Sequence, residues 1–474
     1  MITAISEQHE GGVSLPVKQE YGFYQAFFHE DGPAPAGPPP AVFKAKDSRK
    51  GNGACLPGYT DAEGDEMPWL LGSARRWQND GAYVFRPTPD EPSRMVPPRP
   101  VADLVVYESA LVTEVHAEFG SVESDGGGWI QQITRLIDGK DYVEVEFTVG
   151  PVPIADGVGK SVFARYSTGI QNEGTFYTDA NAREFVKRKR DDAHVFGDHA
   201  PDLDTKLEPI AGNYYPVNTA AFIEDQNRSF GVLVDRSQGG SSLADGALEL
   251  MIQRRLLHDD ARGVGEALNE TDVGITPCPP YGNATRLGAG VVIKGTHRLT
   301  VGKSGAGRAR SQMDQVFSPP HIFVASAPVD AQIPFRTPNL SILKTSLPPN
   351  VMVVTFALLD KDLFLVRLAH QYGANESDVH SAPAIVNLQD LFSTQRIMAV
   401  TEKTLSGNQD RSAWEEKRLR WNAGTSETTS EDERPGDETQ HVVTLNPLEI
   451  RTFEVRVHDV SAGLRWKHRP GYGE

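Results

Sequence analysis

The stretch RRLLHDDARGVGE, positions 254–266, packs three arginines, two aspartates, a histidine and a glutamate beside two glycines. Such a set can do acid/base work, hold a metal, or pair among itself and fix the shape of a loop. His258-x-Asp260 has the spacing of a His-x-Asp zinc pair, and His29-x-Asp31 repeats it. Residues 191–204, DDAHVFGDHAPDLD, gather two histidines with several aspartates. A zinc site needs three or four converging ligands and an ordered second shell. The 191–204 stretch is interrupted by proline and lies outside the strand pattern, so no metal site is assigned to this chain. Cys55 and Cys278 are the two cysteines. One disulfide and two lone thiols both stay open, and no Cys/His zinc spacing exists.

The elements that must position these residues are strands. Residues 141–149, DYVEVEFTV, put Val143, Val145, Phe147 and Val149 inward and Glu144 and Glu146 outward. Residues 129–137 form a second run, and Asp138-Gly139-Lys140 joins the two as a hairpin. Residues 104–119 place Leu111, Thr113, Val115, Ala117 and Phe119 on one face. Further strands fall at 230–235, 247–255, 351–358 and 363–368, the last two joined by Asp360-Lys361-Asp362. Residues 440–457 read as a pair around Asn446-Pro447. In 247–255, ALELMIQRR, alternation puts Leu248, Leu250, Ile252 and Arg254 on one face and Glu249, Met251, Gln253 and Arg255 on the other. A strand that ends in paired arginines, then Asp-Asp and a glycine, reads as a rim loop. Helix is minor, with 409–421 the best candidate, carrying Trp414 and Trp421 seven apart.

At 474 residues the chain exceeds one ordinary core. We expect an all-β fold: a leading strand and Pro/Gly-rich insertion over 1–80, a large β-sandwich over 81–335, and a terminal β-sandwich over 336–474. The link falls near 330–345. The 29–66 and 422–439 segments hold little apolar surface and read as loops, the second one acidic. A net charge of −17 disfavours nucleic acid and anionic lipid as partners. No apolar run approaches the ~18 residues that a membrane helix needs. The N-terminal ten residues lack a basic start and an apolar core, so they do not form a signal peptide. Asn-x-Ser/Thr occurs at Asn227, Asn269, Asn283, Asn339 and Asn375, which leans toward a glycosylated, lumenal protein. Either those sequons are idle, or the true start lies upstream of Met1.

Three clusters gather the remaining signal: FYTDANAREFVKRKRDD at 176–192, EPIAGNYYPVNTAAFIED at 208–225, and 234–266. Each alone has a structural explanation: a strand start before Pro216, a tight turn at Gly239-Gly240, a solvated basic face at 187–190. Together with GAYVFRP at 81–87, AGNYYPVN at 211–218, DRSQGGSSL at 235–243 and RRLLHDDARGVGE itself, their order resembles the C-terminal part of the lysosomal-type α-mannosidases, glycoside hydrolase family 38. Weaker matches run on through 366–372, 405–409 and 449–455.

The resemblance implies an all-β region whose middle module is a supersandwich similar to that of galactose mutarotase. It implies a zinc-dependent retaining hydrolase of terminal α-linked mannose. Such catalysis needs two carboxylates about 5 Å apart. In the family an upstream α/β domain supplies them with the zinc ligands, so neither catalytic residues nor zinc ligands are expected in this chain, and alone it should be inactive. The resemblance places Arg262 and Tyr83 in the mannose pocket of that domain, with Asp259 and Asp260 shaping the loop. The partners implied are the catalytic domain, in cis or as an associated fragment, and mannose-containing glycans; the address implied is a lysosome, vacuole or other secretory lumen. A different class remains, a free-standing carbohydrate-binding β-sandwich using Trp77 and Tyr83, or Tyr214 and Tyr215, as platforms. A mutarotase-like isomerase needs an acid and a base in one cleft, and no convincing pair presents itself.

Overall fold

The computed structural model describes residues 2–5, 15–26, 44–45, 59–60, 80–88, 94–97, 104–120, 128–191, 209–258, 260, 266–271, 274–275, 290–324, 341, 343–393, 395–419 and 441–459. Two compact units follow one another, Met1–Phe317 and Ser318–Glu474. Most of the expected link at 330–345 lies outside the described residues.

The first unit is a sandwich of two antiparallel sheets. One runs in the order Ile2–Ile5, Leu15–Gln25, Lys160–Ser167, Ala247–Arg255, Gln238–Ser241, Tyr215–Val217, with Arg94–Val96 also on Leu15–Gln25. The other has nine strands in the order Glu184–Lys189, Thr175–Ala180, Ala220–Glu224, Ser229–Val234, Ile293–Gly302, Val143–Val149, Ile130–Ile137, Val112–Phe119, Val105–Glu108. Period-two patterning makes the core between them. Val143, Val145, Phe147 and Val149 point in and meet Val162, Ala164, Leu248 and Leu250 of the facing sheet. The hairpin at 138–140 forms as the sequence predicts. Gly139 sits at φ +71°, which glycine adopts without strain, and Lys140 N–H donates to Ile137 O at 3.1 Å.

The second unit holds a four-stranded sheet in the order Val351–Asp360, Leu363–His370, Ile450–Asp459, Gln395–Lys403, and a two-stranded ladder of Ala384–Asn387 with Val442–Leu445. Leu368, Leu388, Leu445, Phe453 and Val455 fill its core.

Several elements depart from the sequence reading. Residues 104–119 are two strands, and Leu111, read as sharing one strand face with Thr113 and Val115, sits in their turn with 72% of its surface exposed. The 440–457 pair does not pair with itself. Val442–Leu445 joins Ala384–Asn387, while Ile450–Asp459 joins the larger sheet. Asn446-Pro447 therefore turns the chain between sheets, held by Glu449, whose carboxylate accepts from Asn446 N–H at 2.9 Å. The helix expected over 409–421 is shorter, Arg411–Lys417, with Trp414 partly exposed. A longer helix, Gly305–Phe317, is not among the elements expected from the sequence. Its buried residues are Gly305, Ala306, Ala309, Arg310, Gln312 and Met313, three of them small and two polar, so the stripe carries little hydropathy signal. Gly305 is required there, because a Cβ would stand 2.1 Å from the Phe222 ring.

Candidate functional site

The site is built on the face of the seven-stranded sheet that turns away from the sandwich core. A bulge puts it there. Lys160–Ser167 pairs Val162 with Gln253 but Phe163 with Met251, so Ile252 is an extra residue. Alternation therefore reverses after Ile252. Arg254 pairs with Ser161 and shares the outer face with Met251 and Glu249, not the inner face with Leu248 and Leu250. That corrects the simple alternation read from ALELMIQRR, which a one-residue insertion defeats.

Two buried charge clusters result. At the centre of the face, Glu249 is 2% exposed. Its Oε1 accepts from the Tyr24 hydroxyl at 2.6 Å and from the Tyr214 hydroxyl. Its Oε2 accepts from Arg165 Nε at 2.8 Å and Nη2 at 2.6 Å, two charge-assisted bonds that converge on one oxygen. Burial, reinforced by the Glu249 charge, pushes both tyrosine hydroxyls well above their ordinary range, so they stay neutral donors.

Beside it lies the second cluster, which fixes the loop 80–88. Asp80 is 2% exposed, and its Oδ1 accepts from Arg254 Nη2 at 2.6 Å and from Arg86 N–H at 2.7 Å. Its Oδ2 is buried with no hydrogen-bond partner. Burial pushes the Asp80 carboxyl up to about 6, against the opposing pull of Arg254. Asp260, 1% exposed, accepts on Oδ2 from Tyr83 N–H at 2.6 Å and Val84 N–H at 2.9 Å. Arg254 also donates to Val84 O at 3.1 Å and Ser161 Oγ at 3.1 Å, and its guanidinium stands 5.5 Å from the Phe85 ring centroid. The loop's far end is tied by Thr88 N–H to Gln25 O at 2.9 Å. Gly81 lets Asp260 approach, since a Cβ would stand 2.4 Å from the Asp260 Cβ. Phe85 packs edge-on against Tyr214 at 5.0 Å and Tyr24 at 5.9 Å, joining the two clusters. The result is a tight loop that holds Tyr83 outward, 68% exposed, above buried ion pairs.

The stretch 254–266 is described in part. Arg254 grips Asp80, and Arg255 donates to Val152 O at 2.7 Å and Asn269 Oδ1 at 2.8 Å. Leu256 N–H donates to Leu268 O at 2.8 Å, so the chain leaves the sheet and returns to the same point. Asp260 lies against Tyr83 and Val84. Asp259 and Arg262 lie outside the described residues, as do Trp77, Cys55, Cys278, Asn283, Asn339, His29 and Asp31. Asn227 and Asn375 are exposed; Asn269 is half-buried. The two remaining platform tyrosines are packed. Tyr214 bonds Glu249, and Tyr215 packs edge-on to Phe176 with the Arg188 guanidinium 4.4 Å from its ring centroid. The Asp260 Oδ2 is turned onto two backbone amides. Among the described residues no three His, Cys, Asp or Glu side chains gather to hold a metal ion.

Sequence reasoning missed Asp80, Glu249 and Arg165. The signal for Glu249 was a lone acid inside an apolar strand, and for Asp80 an acid directly before the glycine of GAYVFRP.

The site is thus an outward tyrosine on a loop held by buried ion pairs, on the outer face of an antiparallel sandwich. Residues 58–262 match the Glycosyl hydrolases family 38 C-terminal domain. The chain is 38% identical to an α-mannosidase of Arabidopsis thaliana over 396 residues, and 37% identical to the lysosomal α-mannosidase of Homo sapiens over 409. Those matches cover 82% and 85% of this chain and 36% of each relative, so the chain spans a little over a third of their length. A family 38 glycosyl hydrolase structure from Enterococcus faecalis aligns over 78% of this chain and 38% of its own, at 15% identity and a TM-score of 0.48. The chain belongs to glycosyl hydrolase family 38, whose C-terminal domain it carries.

Proposed function

We propose that this chain is the C-terminal β region of a zinc-dependent, retaining α-mannosidase that removes terminal α-linked mannose from glycoproteins and oligosaccharides. The observation that carries the reading is the pinned loop 80–88, within the family-matched residues, which holds Tyr83 outward while its backbone is locked by Asp260, Asp80 and Arg254. A tyrosine fixed in this way offers a hydroxyl and an apolar ring face to a sugar at little entropic cost. Arg262 would add hydroxyl-directed hydrogen bonds from the same neighbourhood of sequence. The nucleophile, the acid/base and the zinc ligands belong to a catalytic α/β domain, in cis or as an associated fragment. No step of the chemistry is assigned to the residues of this chain. A surface for that partner is available on Leu104, Val105, Val106, Tyr107, Leu111 and Leu136, all about half exposed or more along one edge of the nine-stranded sheet. The names of the relatives favour a lysosomal or other secretory-pathway address.

The test is hydrolysis of 4-nitrophenyl α-D-mannoside by the purified chain, which we expect to show none. Turnover at an enzyme-like rate by the 474 residues alone would overturn the assignment of catalysis to another domain. The exposure of Tyr83 also suits a free-standing sugar-binding module. Tight binding of a glycan array by the isolated chain favours that second reading, and absence of binding removes it.

A further inference from the structure

We propose that Asp80 is a positioning residue that closes the Tyr83 loop more tightly as the pH falls, by taking a proton onto its buried, unpaired carboxylate oxygen. The proposal deepens the sugar-facing reading of Tyr83, on which its functional meaning rests. Loop closure itself is measurable without sugar.

Two buried carboxylates, Asp80 and Asp260, hold the loop 80–88, and Arg254 pairs with the first of them. Arg254, from the strand Ala247–Arg255, faces Asp80 with one strong hydrogen bond. Asp260, from the stretch after that strand, is the second charge near it and adds repulsion. From the loop itself the Arg86 backbone N–H is the remaining donor. All of these bonds reach Oδ1, while Oδ2 is buried and bare. An ionised carboxylate with one lone oxygen out of water is costly to hold. A proton on Oδ2 removes that cost. It does not release the loop, because Arg254 keeps Ser161, Val84 O and the face of Phe85, and Asp260 keeps the Tyr83 and Val84 amides.

The sign follows from linkage. The Asp80 carboxyl stands at about 6 when the loop is closed and returns toward its ordinary 3.8 when the loop opens to water. The closed loop therefore binds the proton more tightly. Closure is weakest above pH 6, strengthens as the pH falls through 6, and reaches its limit below about 4. Between pH 7 and pH 5 the closing constant should rise about tenfold. His258, exposed on the same stretch, is a second ionisable side chain, so a variant must separate the two.

The experiment is amide hydrogen exchange of the whole chain at pH 7 and pH 5, corrected for the intrinsic pH dependence of exchange and read at the Tyr83, Val84 and Arg86 N–H groups. We expect about tenfold greater protection at pH 5 in the natural sequence. Asp80→Asn, which mimics the protonated acid, should show acid-like protection at both pH values. Equal protection at the two pH values in the natural sequence overturns the proposal, and so does a slope that survives in Asp80→Asn. The natural sequence alone decides the first point, whether or not the variant folds. A pH-dependent profile beside unaltered mannosidase activity of Tyr83→Ala in the complete enzyme would overturn the sugar-facing reading and leave the latch standing.

Discussion

The two faces of the seven-stranded sheet solve the problem of burying polar groups in opposite ways. On the inner face, amid the core, Tyr166 bonds His297 Nδ1 at 2.8 Å, and His297 Nε2 meets Gln238 Oε1 at 2.9 Å. Burial drives His297 down to about 3, so that set is neutral. On the outer face, Asp80, Glu249 and Asp260 stand with Arg165 and Arg254, and the polar set is ionic. A neutral relay suits a packed core, where an unpaired charge is most costly. An ionic cluster fixes a surface loop, because each arginine has several donors with which to bind side chains and backbone together. The inner set makes the sandwich; the outer set makes a place on it.

The contrast can be broken by substitution, and the largest effect should come from the outer face. Glu249→Leu strands two tyrosine hydroxyls and the Arg165 guanidinium, and should cost about 4 kcal/mol in urea unfolding. Arg254→Met leaves Asp80 buried without its cation and should cost about 3 kcal/mol at pH 7.5. The loss should shrink at pH 5, where Asp80 takes up a proton. Gly81→Ala drives a Cβ into Asp260 and should cost about 2 kcal/mol, with the exchange of the Tyr83 amide raised.

Other substitutions should have smaller effects. The His297 imidazole, depressed when folded, contributes stability that is full above its ordinary 6.5 and lost as the pH falls toward 3. Asp80, raised when folded, contributes in the reverse direction, with stability present below 3.8 and lost as the pH climbs through 6. His297→Gln should therefore remove part of the acid destabilisation, and Asp80→Asn should flatten the opposing trend, each seen as a changed slope of unfolding free energy against pH. Tyr83→Ala should alter stability by less than about 0.5 kcal/mol, since its ring is exposed.

How much of this was legible in the sequence depended on whether one strand sufficed to show it. The alternation of DYVEVEFTV carries its own burial pattern, and the hairpin at Gly139 its own turn. The order of short motifs carried the family. The fate of 440–457 was not local, because an adjacent-strand pattern looks alike whether the strands pair or part to separate sheets. The outer face was illegible for a related reason. A bulge at Ile252 leaves no mark in ALELMIQRR, yet it moves Arg254 from one face to the other. Asp80 and Arg254 lie 174 residues apart, and only the fold brings them together.

The most direct test of the account is a double-mutant cycle of Tyr83→Ala and Asp260→Ala in the complete enzyme proposed above, this chain joined to a family 38 catalytic domain. It is read as kcat/KM for 4-nitrophenyl α-D-mannoside per folded molecule. If Asp260 serves the sugar only by holding Tyr83, both single variants lose activity by similar factors and the double variant loses no more than either. Losses that multiply, or full activity in Tyr83→Ala, would contradict the account.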